Sequence, residues 1–435
     1  MDTILIRAVQ LILSLSILVI VHEFGHFILA KIFKVRVEKF YLFFDVWFPL
    51  YKFTPKNSET EYGIGWLPLG GYVKISGMID ESMDKKAMAQ PPQPWEFRTK
   101  PAWQRLLIMV GGVFMNFILA FFIYSMIVMN WGDSYIPIDK TQLYFGEVAH
   151  QAGFKDGDIL LTANGKRLTR YNDELDLFRV ISSGNVTVLR DSQEQTIQLP
   201  ENFEAQFLAA KMPFADIQAT RIDSLIPGGN AEKAGLEVGD EILSVNGVNT
   251  IAFATFANIL PKNKNSDVRI EVLRGDEKLI LTVKVDGEGK IGFASNRKDA
   301  YVTNNYNFFQ SIPAGISLGV RKMAFYVLQL RLIFTRAGIR SIGGFGAIGS
   351  LFPPQWSWPD FWNMTAFLSI VLGIMNLLPI PALDGGHVMF LLYEVISGRK
   401  PNDKFIEYAQ VAGMIFLLLV LLYANGNDVL RFFTK

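Results

Sequence analysis

Four long apolar runs limit what this sequence can fold into. A helix needs about 20 apolar residues to cross the hydrocarbon core of a bilayer, and several such runs in one chain indicate membrane spans. The runs cover residues 9–32, 106–129, 361–395 and 411–422. The first is too long for a signal peptide and carries no small-residue cleavage site, so we expect it to stay as a span. Pro379 and Pro381 should break the third.

Composition narrows the classes of function. Of the 435 residues 50% are hydrophobic and 19% are charged, whereas soluble domains carry about a quarter charged residues. The net charge of +1, without a basic stripe, gives no case for nucleic-acid binding. The absence of cysteine excludes disulfides and thiolate zinc sites. A metal site must therefore use carboxylates and the four histidines, which are His22, His26, His150 and His387.

Basic residues predict the orientation of the spans. They form three clusters beside the predicted spans: Lys31, Lys34, Arg36 and Lys39 follow span one, Arg98, Lys100 and Arg105 precede span two, and Arg399, Lys400 and Lys404 lie between spans three and four. Short connections rich in lysine and arginine stay in the cytoplasm. Both termini and the long segment 130–360 should then lie outside, with the four spans between them.

The first run contains the sequence His22-Glu23-Phe24-Gly25-His26. Two histidines four residues apart project from one face of a helix and can occupy adjacent corners of a tetrahedral zinc site. Glu23 is placed to act as general base on a water molecule at that site. Ionisable groups inside a span are costly, at about 2.5–3.5 kcal/mol for a charge at the bilayer centre, so a purely structural role is a weak explanation.

A catalytic zinc site needs a third protein ligand and an open position. The candidates in or near the spans are Asp384, His387 and Glu394. Asp384 follows the two prolines and precedes Gly385-Gly386, so it should project from irregular backbone that lines a polar cavity. His387 could instead form an ordinary hydrogen bond at the interface.

The long outer segment contains an internal repeat. Residues 152–160 recur as residues 234–242, and Asn164-Gly165 recurs as Asn246-Gly247 at the same offset of 82. Each copy predicts a turn, a strand and an Asn-Gly hairpin turn. The shared Ala-Gly-x-x-x-Gly-Asp pattern resembles the PDZ domain, which implies two tandem α+β domains that bind extended peptides at a sheet edge. The alternative is a rigid cap that filters substrates by size.

Two further segments follow the repeat. Residues 308–340 mix apolar and basic residues, which is typical of a helix on the membrane surface but also of one packed on the PDZ pair. Residues 341–349 hold four glycines, too many for a plain helix. We expect a loop there in which backbones approach closely.

Together, the motifs carry a family resemblance over nearly the whole chain. His22-Glu23-x-x-His26, with Asn376-x-x-Pro379-x-Pro381-x-Leu383-Asp384-Gly385, resembles the site-2 protease family of intramembrane zinc metalloproteases. The PDZ pair resembles its bacterial branch, which regulates sigma-E. That family often shows Gly-Pro-x-x-Asn in span two, whereas Gly112-Val113-Phe114-Met115-Asn116 lacks the proline.

The resemblance implies roles for individual residues. His22, His26 and Asp384 would bind one zinc ion per chain and Glu23 would be catalytic. Asn376, Pro379 and Pro381 would hold the substrate. Residues 63–75 resemble the family's cytoplasmic membrane-associated β-hairpin, in which Gly65 and Trp66 would contact an unwound substrate by strand addition.

The resemblance also implies a function: hydrolysis of peptide bonds within membrane-spanning segments, or regulated intramembrane proteolysis. Substrates would be single-span anti-sigma factors and signal-peptide remnants in the bacterial inner membrane. An upstream site-1 protease would act first, the PDZ pair would gate access, and the active site would face the cytoplasm. Rival functions are an intramembrane aspartyl protease, a non-catalytic PDZ scaffold and a metal transporter.

The predicted fold is therefore a four-helix membrane protein with inserted PDZ domains. The predicted segments are span one at 1–32, a cytoplasmic loop with the hairpin at 33–105, span two at 106–130, PDZ domains at 131–220 and 221–305, the interfacial helix and glycine-rich loop at 306–360, span three at 361–398 and span four at 409–425.

Overall fold

The computed structural model describes most of the chain. The described residues are 2–68, 70–78, 90–171, 173–209, 214–216, 220–250, 256, 259–295, 300–333, 335, 338–339 and 342–434. The chain forms two compact units, one made of residues 1–132 and 305–435 and the other of residues 133–304.

The first unit holds the apolar helices. Before residue 133, this unit contains the helices α1 (Asp2–Ile32) and α2 (Ala102–Trp131) and a short 3₁₀ turn at Phe97–Thr99. In the described part of the chain, four helices are long and apolar enough to cross a membrane, at Thr3–Ile32, Ala102–Trp131, Trp358–Leu377 and Lys404–Arg431. The four predicted spans are therefore confirmed, and the fourth is longer than predicted.

The third apolar run is broken, as its prolines predict. Helix α9 (Trp358–Leu377) ends before the prolines, and α10 (Asp384–Ser397) begins after them. Only α9 is long enough to span by itself, so the predicted span 361–398 is two helices. Asp384 is the first residue of α10, which places its carboxylate at the break.

Close backbone packing joins the first two spans. A Cβ atom on Gly25 would lie 2.2 Å from the carbonyl oxygen of Gly111, so both positions need glycine. The motif helix thereby lies directly against α2. Behind this crossing, Ile108 and Met109 pack in a buried cluster with Val388 and Leu391 of α10.

The segment between the first two spans forms a sheet of four strands, and the prediction that residues 63–75 form a hairpin is wrong because the two strands in it do not pair. The strands are β1 (Val37–Leu42), β2 (Phe44–Phe53), β3 (Glu61–Leu67) and β4 (Tyr72–Ile75), in the spatial order β2-β3-β1-β4. Strand β1 pairs in parallel with β3 and antiparallel with β4. β3 and β4 are neighbours in sequence, but β1 lies between them. Among the strands that the structure describes, β4 is therefore at the edge of the sheet, with no strand on its other side.

Two helices of the first unit follow residue 305 and precede the third span. Helix α7 (Phe308–Ile333) packs on span two through Gly315, where a Cβ atom would lie 2.3 Å from the backbone nitrogen of Ser125. Neither predicted arrangement of this helix anticipated that contact, and its position at the membrane surface stays a prediction. Residues 334, 336–337 and 340–341 of the predicted segment lie outside the described residues.

The glycine-rich segment is partly helical, so the loop prediction is wrong for α8 (Phe345–Ser350). Asp428 of the last helix, α11 (Asp403–Thr434), accepts hydrogen bonds from the backbone N–H groups of Gly344 and Ala347 at 3.0 Å. These bonds satisfy N–H groups that a helix start leaves open. The predicted close approach of backbones is confirmed, since a Cβ atom on Gly344 would lie 3.0 Å from the Cα atom of Asn425.

The second unit is built from short strands and helices. Its strands are β5 (Asp133–Tyr135), β6 (Leu143–Phe145), β7 (Ile159–Ala163), β8 (Lys166–Arg167), β9 (Asn185–Arg190), β10 (Gln193–Gln198), β11 (Phe214–Asp216), β12 (Ser224–Leu225), β13 (Glu241–Val245), β14 (Val248–Asn249), β15 (Asp267–Arg274), β16 (Glu277–Lys284), β17 (Phe293–Ala294) and β18 (Val302–Asn304). Its helices are α3 (Glu147–Gln151), α4 (Glu174–Ile181), α5 (Phe203–Ala209) and α6 (Asn230–Lys233), with 3₁₀ turns at Ile138–Lys140 and Leu260–Asn263.

The sequence repeat is also a structural repeat. Two four-stranded sheets have the matching orders β10-β9-β7-β8 and β16-β15-β13-β14. Asn164 and Asn246 have positive φ values of 47° and 51°, as both central residues of an Asn-Gly hairpin turn require. The predicted strand and hairpin of each copy are confirmed. Their assignment as PDZ domains stays a prediction.

Each copy also holds an arginine–aspartate pair that the sequence comparison missed. Arg190 donates to both carboxylate oxygens of Asp158, and Arg274 does the same to Asp240. The arginines are 84 residues apart and the aspartates 82, because β15 is two residues longer than β9. A comparison at a fixed offset of 82 therefore does not align the arginines.

Candidate metal centre

Three side chains from two helices converge at the break in the third apolar run. Oδ2 of Asp384 lies 3.2 Å from Nε2 of His22 and 3.3 Å from Nε2 of His26, and the two Nε2 atoms are 3.3 Å apart. Both histidines are buried. The structure thus brings together the predicted histidines and one of the three candidate third ligands.

Hydrogen bonds behind the imidazole rings fix their orientation. Nδ1 of His26 lies 2.8 Å from the carbonyl oxygen of Ile108, which can only accept, so Nδ1 carries the proton and Nε2 keeps its lone pair. Nδ1 of His22 lies 3.0 Å from the side-chain nitrogen of Asn116. The Asn116 oxygen is buried without a hydrogen-bond partner. If the side-chain amide of Asn116 is rotated by 180°, its oxygen accepts a hydrogen bond from the Nδ1–H group of His22. Nε2 of His22 then keeps its lone pair, as Nε2 of His26 does.

A glycine in span two leaves room for the two rings. A Cβ atom on Gly112 would lie 2.3 Å from Nε2 of His26 and 2.7 Å from Cε1 of His22. Gly112 and Asn116 belong to the span-two motif that resembles the family's Gly-Pro-x-x-Asn, but no role was predicted for either residue. The motif itself, with a polar asparagine inside an apolar run, was the available signal.

The donor set fits a zinc ion. Zinc ligands at about 2.0–2.1 Å in tetrahedral geometry are about 3.3–3.4 Å from one another, which matches the spacing of the three atoms. Oδ2 of Asp384 is buried and makes no hydrogen bond, a costly arrangement for a carboxylate unless a cation is bound. Two neutral imidazoles and one carboxylate are also a ligand set used by catalytic zinc.

Glu23 and the histidines open onto a cavity of about 500 Å³. The edge strand β4 forms one wall through residues 72–75, and the backbone N–H of Val73 faces the Glu23 carboxylate. Ala382, Leu383 and Met414 contribute to another wall. The cavity therefore places a carboxylate, the three donor atoms and a free sheet edge around one space.

Hydrogen bonds to Asp45 hold Tyr72 in place in the wall formed by β4. Tyr72 donates to Asp45 at 2.8 Å, and Lys39 donates to the same carboxylate at 3.1 Å. Burial raises the pKa of Tyr72, and the adjacent Asp45 raises it further. Burial alone would raise the pKa of Asp45, but hydrogen bonds from Tyr72 and Lys39 outweigh it and lower that pKa. At neutral pH the phenol is thus protonated and the carboxylate ionised, which maintains this bond.

Of the other predicted site residues, only Asn376 lies at the donor cluster. The side-chain nitrogen of Asn376 lies 3.2 Å from Nε2 of His22, at the donor cluster. Pro379 and Pro381 lie in the break before α10. Gly65 and Trp66 belong to β3, which is paired on both sides, and they do not line the cavity.

The two alternative third ligands have other partners. Nε2 of His387 lies 2.9 Å from the side-chain nitrogen of Gln410. Glu394 forms an ion pair with Arg105. Neither belongs to the donor cluster, so the geometry favours Asp384.

Comparison with known proteins places the chain among peptidases. The sequence profile of peptidase family M50 matches residues 10–420. The chain is 29% identical to the regulator of sigma-E protease RseP of Escherichia coli, over 97% of both chains. It is also 29% identical to a Vibrio cholerae protein provisionally named a zinc metalloprotease, over 99% of this chain and all of that protein. The regulator of sigma E protease of Haemophilus influenzae is 26% identical over 97% of this chain and 98% of its own length.

Proposed function

The chain belongs to peptidase family M50 and is an integral membrane zinc metalloprotease, and we propose that it cuts peptide bonds inside membrane-spanning segments of other proteins. One observation carries the proposal. The three donor atoms of His22, His26 and Asp384 converge beside Glu23, and both histidines and Glu23 belong to a helix that is long and apolar enough to cross a membrane. Water-dependent chemistry within a membrane needs a built polar cavity, and the cavity beside Glu23 supplies one.

In this proposal, His22, His26 and Asp384 hold one zinc ion. When bound, zinc acidifies water and polarises a substrate carbonyl. Glu23, on the cavity wall beside His22, accepts a proton from the attacking water and returns it to the leaving amine. Removal of such a general base typically slows a reaction by about 10²–10⁴-fold.

Substrate binding requires an unwound segment, because the carbonyl groups of a helix are engaged in its own hydrogen bonds. Strand β4 offers a free edge beside Glu23, where an extended substrate can pair by strand addition. This edge takes the role that the sequence analysis gave to Gly65 and Trp66. We further propose that the amide of Asn376, 3.2 Å from Nε2 of His22, binds a substrate carbonyl, while Pro379 and Pro381 hold the break that presents Asp384.

The names of two relatives support the proposed substrate class. Two of them are named as regulators of sigma-E, so we propose single-span anti-sigma factors and signal-peptide remnants as substrates in the bacterial inner membrane. A site-1 protease would shorten them first. The repeat unit, as an outer PDZ pair, would exclude proteins with large outer domains, with the zinc site toward the cytoplasm.

A cleavage assay tests this function. The full chain in liposomes should cut a single-span substrate within its membrane segment. Glu23→Gln should lose cleavage while keeping one zinc per chain, whereas Asp384→Asn should lose both. The matched control is Glu201→Gln, which changes an exposed glutamate of the other unit. Cleavage by Glu23→Gln at the normal rate would overturn the mechanism and favour the scaffold or transporter alternatives.

An aspartyl protease is the less suitable alternative. That mechanism needs two carboxylates that share a proton, whereas Oδ2 of Asp384 faces two imidazoles. Glu394, on the same helix, pairs with Arg105 instead.

A further inference from the structure

The turn before Asp384 has a strained backbone. Ala382 has a φ of +75°, a left-handed conformation that residues with a Cβ atom rarely adopt and that persists only when surrounding contacts enforce it. Asp384 lies two residues further on and begins α10. Whatever holds Ala382 therefore also sets the direction of the Asp384 carboxylate.

Span four supplies the contact. The side-chain oxygen of Gln410, in α11, accepts a hydrogen bond from the backbone N–H of Ala382 at 2.5 Å. The backbone N–H can only donate, which fixes the amide orientation of Gln410. Its side-chain nitrogen then lies 2.9 Å from Nε2 of His387, which must accept. The side-chain amide of Gln410 thus makes two hydrogen bonds, one to the turn at Ala382 and one to His387 of α10.

Backbone packing supports the same contact. Gly413 lies one turn after Gln410 on the same face of α11, and a Cβ atom there would lie 1.9 Å from the carbonyl oxygen of Pro381. Span four is otherwise the least buried of the four spans. Its helix backbone and one glutamine therefore meet the turn at successive residues, Pro381 and Ala382.

We propose that Gln410 is a positioning residue for the third zinc ligand, so that span four controls how tightly the site holds zinc. The inference rests on the proposed role of Asp384 in binding the metal. Gln410 lines the same cavity but is not one of the three donor residues, and it acts by holding Ala382 and His387 on either side of Asp384. Such partners of metal ligands typically change metal affinity by about 10–100-fold.

Zinc affinity, measured by chelator competition on the full chain in detergent, tests the inference. Gln410→Met keeps the length of the side chain but removes both hydrogen bonds, and it should weaken zinc binding at least about 10-fold. Excess zinc should restore its cleavage rate. Gln410→Glu keeps a side-chain oxygen that accepts from the Ala382 N–H. It should bind zinc much more tightly than Gln410→Met.

Gln10→Met is the matched control. Gln10 is buried in span one and donates to the carbonyl of Pro353 at 3.0 Å, about 18 Å along the helix from His22. It should leave zinc affinity unchanged. Normal zinc affinity in Gln410→Met, or an equal loss in Gln10→Met, would overturn the inference. Failure of the unmodified chain to bind zinc would instead overturn the proposed metal site.

Discussion

The amide of Asn116 lies 3.0 Å from Nδ1 of His22, on the side of the ring that faces away from Asp384. Ser369 of span three donates to the backbone carbonyl of the same asparagine at 2.8 Å. Three spans therefore meet behind one histidine. The bond fixes the ring rotation and leaves Nε2 available, as partners of metal-binding histidines commonly do.

Replacement of Asn116 by leucine should weaken zinc binding by about 10–100-fold. The physical reason is that His22 loses the partner that selects its tautomer, and the ring can then rotate in the cavity. Asn116→Asp keeps an oxygen that accepts from Nδ1 and should remain close to the unmodified chain. Chelator competition measures both. Equal zinc affinity in Asn116→Leu and the unmodified chain would show that the bond does not orient the ligand.

Replacement of Gly112 by alanine should impair the metal site by steric contact. The added Cβ atom would lie 2.3 Å from Nε2 of His26, so the rings or span two must shift, and a displacement of about 1 Å can cost about 10²-fold in rate. Gly426→Ala is the control, because nothing lies within 4 Å of a Cβ atom there. The measurements are zinc content and cleavage rate. A Gly112→Ala enzyme as active as Gly426→Ala would contradict the close contact.

Local patterns were enough to predict part of this site. The spacing of His22 and His26 requires only the geometry of one helix, and the Asn-Gly turns and the proline break are equally local. The choice among Asp384, His387 and Glu394 was different. All three lie on one helix, and only the packing of that helix against α1 and α2 brings Asp384 to the imidazoles.

The errors have the same physical origin. Strands β3 and β4 follow each other in sequence, so they suggested a hairpin, but the earlier strand β1 lies between them. Likewise, Gln410 acts on the turn at Ala382 and Asn116 acts on His22 of another helix, at sequence separations of 28 and 94. No periodicity within a single segment reports such contacts.

The stability of the second repeat should depend on acid pH through Asp240. Burial alone would raise the pKa of Asp240, but the hydrogen bonds from Arg274 and from the backbone N–H of Glu237 outweigh it and hold that pKa below its ordinary value of 3.8. A carboxyl whose pKa is lower in the folded state contributes stability above its unfolded pKa, and loses it as the pH falls toward the folded value.

Hydrogen exchange of strands β13 and β15 in the full chain measures this effect. Protection should be level down to about pH 5 and decrease below 3.8. Asp240→Asn should lower stability near neutral pH by about 2 kcal/mol, the scale of a hydrogen bond to a charged group, and should flatten the acid dependence. An acid dependence as steep in Asp240→Asn as in the unmodified chain would assign it to other groups.

The repeat unit should be removable, because its two ends are paired. Strand β5 pairs with β18, with Asp133 opposite Asn304 and Tyr135 opposite Val302. Opposed residues in such a pair are about 4.5–5.5 Å apart, so an Asn-Gly turn can replace residues 136–301 and join the strands as a hairpin.

The shortened chain should bind one zinc ion and cut a substrate with a short outer segment at nearly the normal rate. Under the size-filter proposal it should also cut a substrate with a large folded outer domain, which the complete chain rejects. The control is Glu23→Gln in the shortened chain, which should abolish any new cleavage if that cleavage takes place at this site. If the shortened chain still rejects the large substrate, the selectivity lies in the membrane unit and the filter proposal fails.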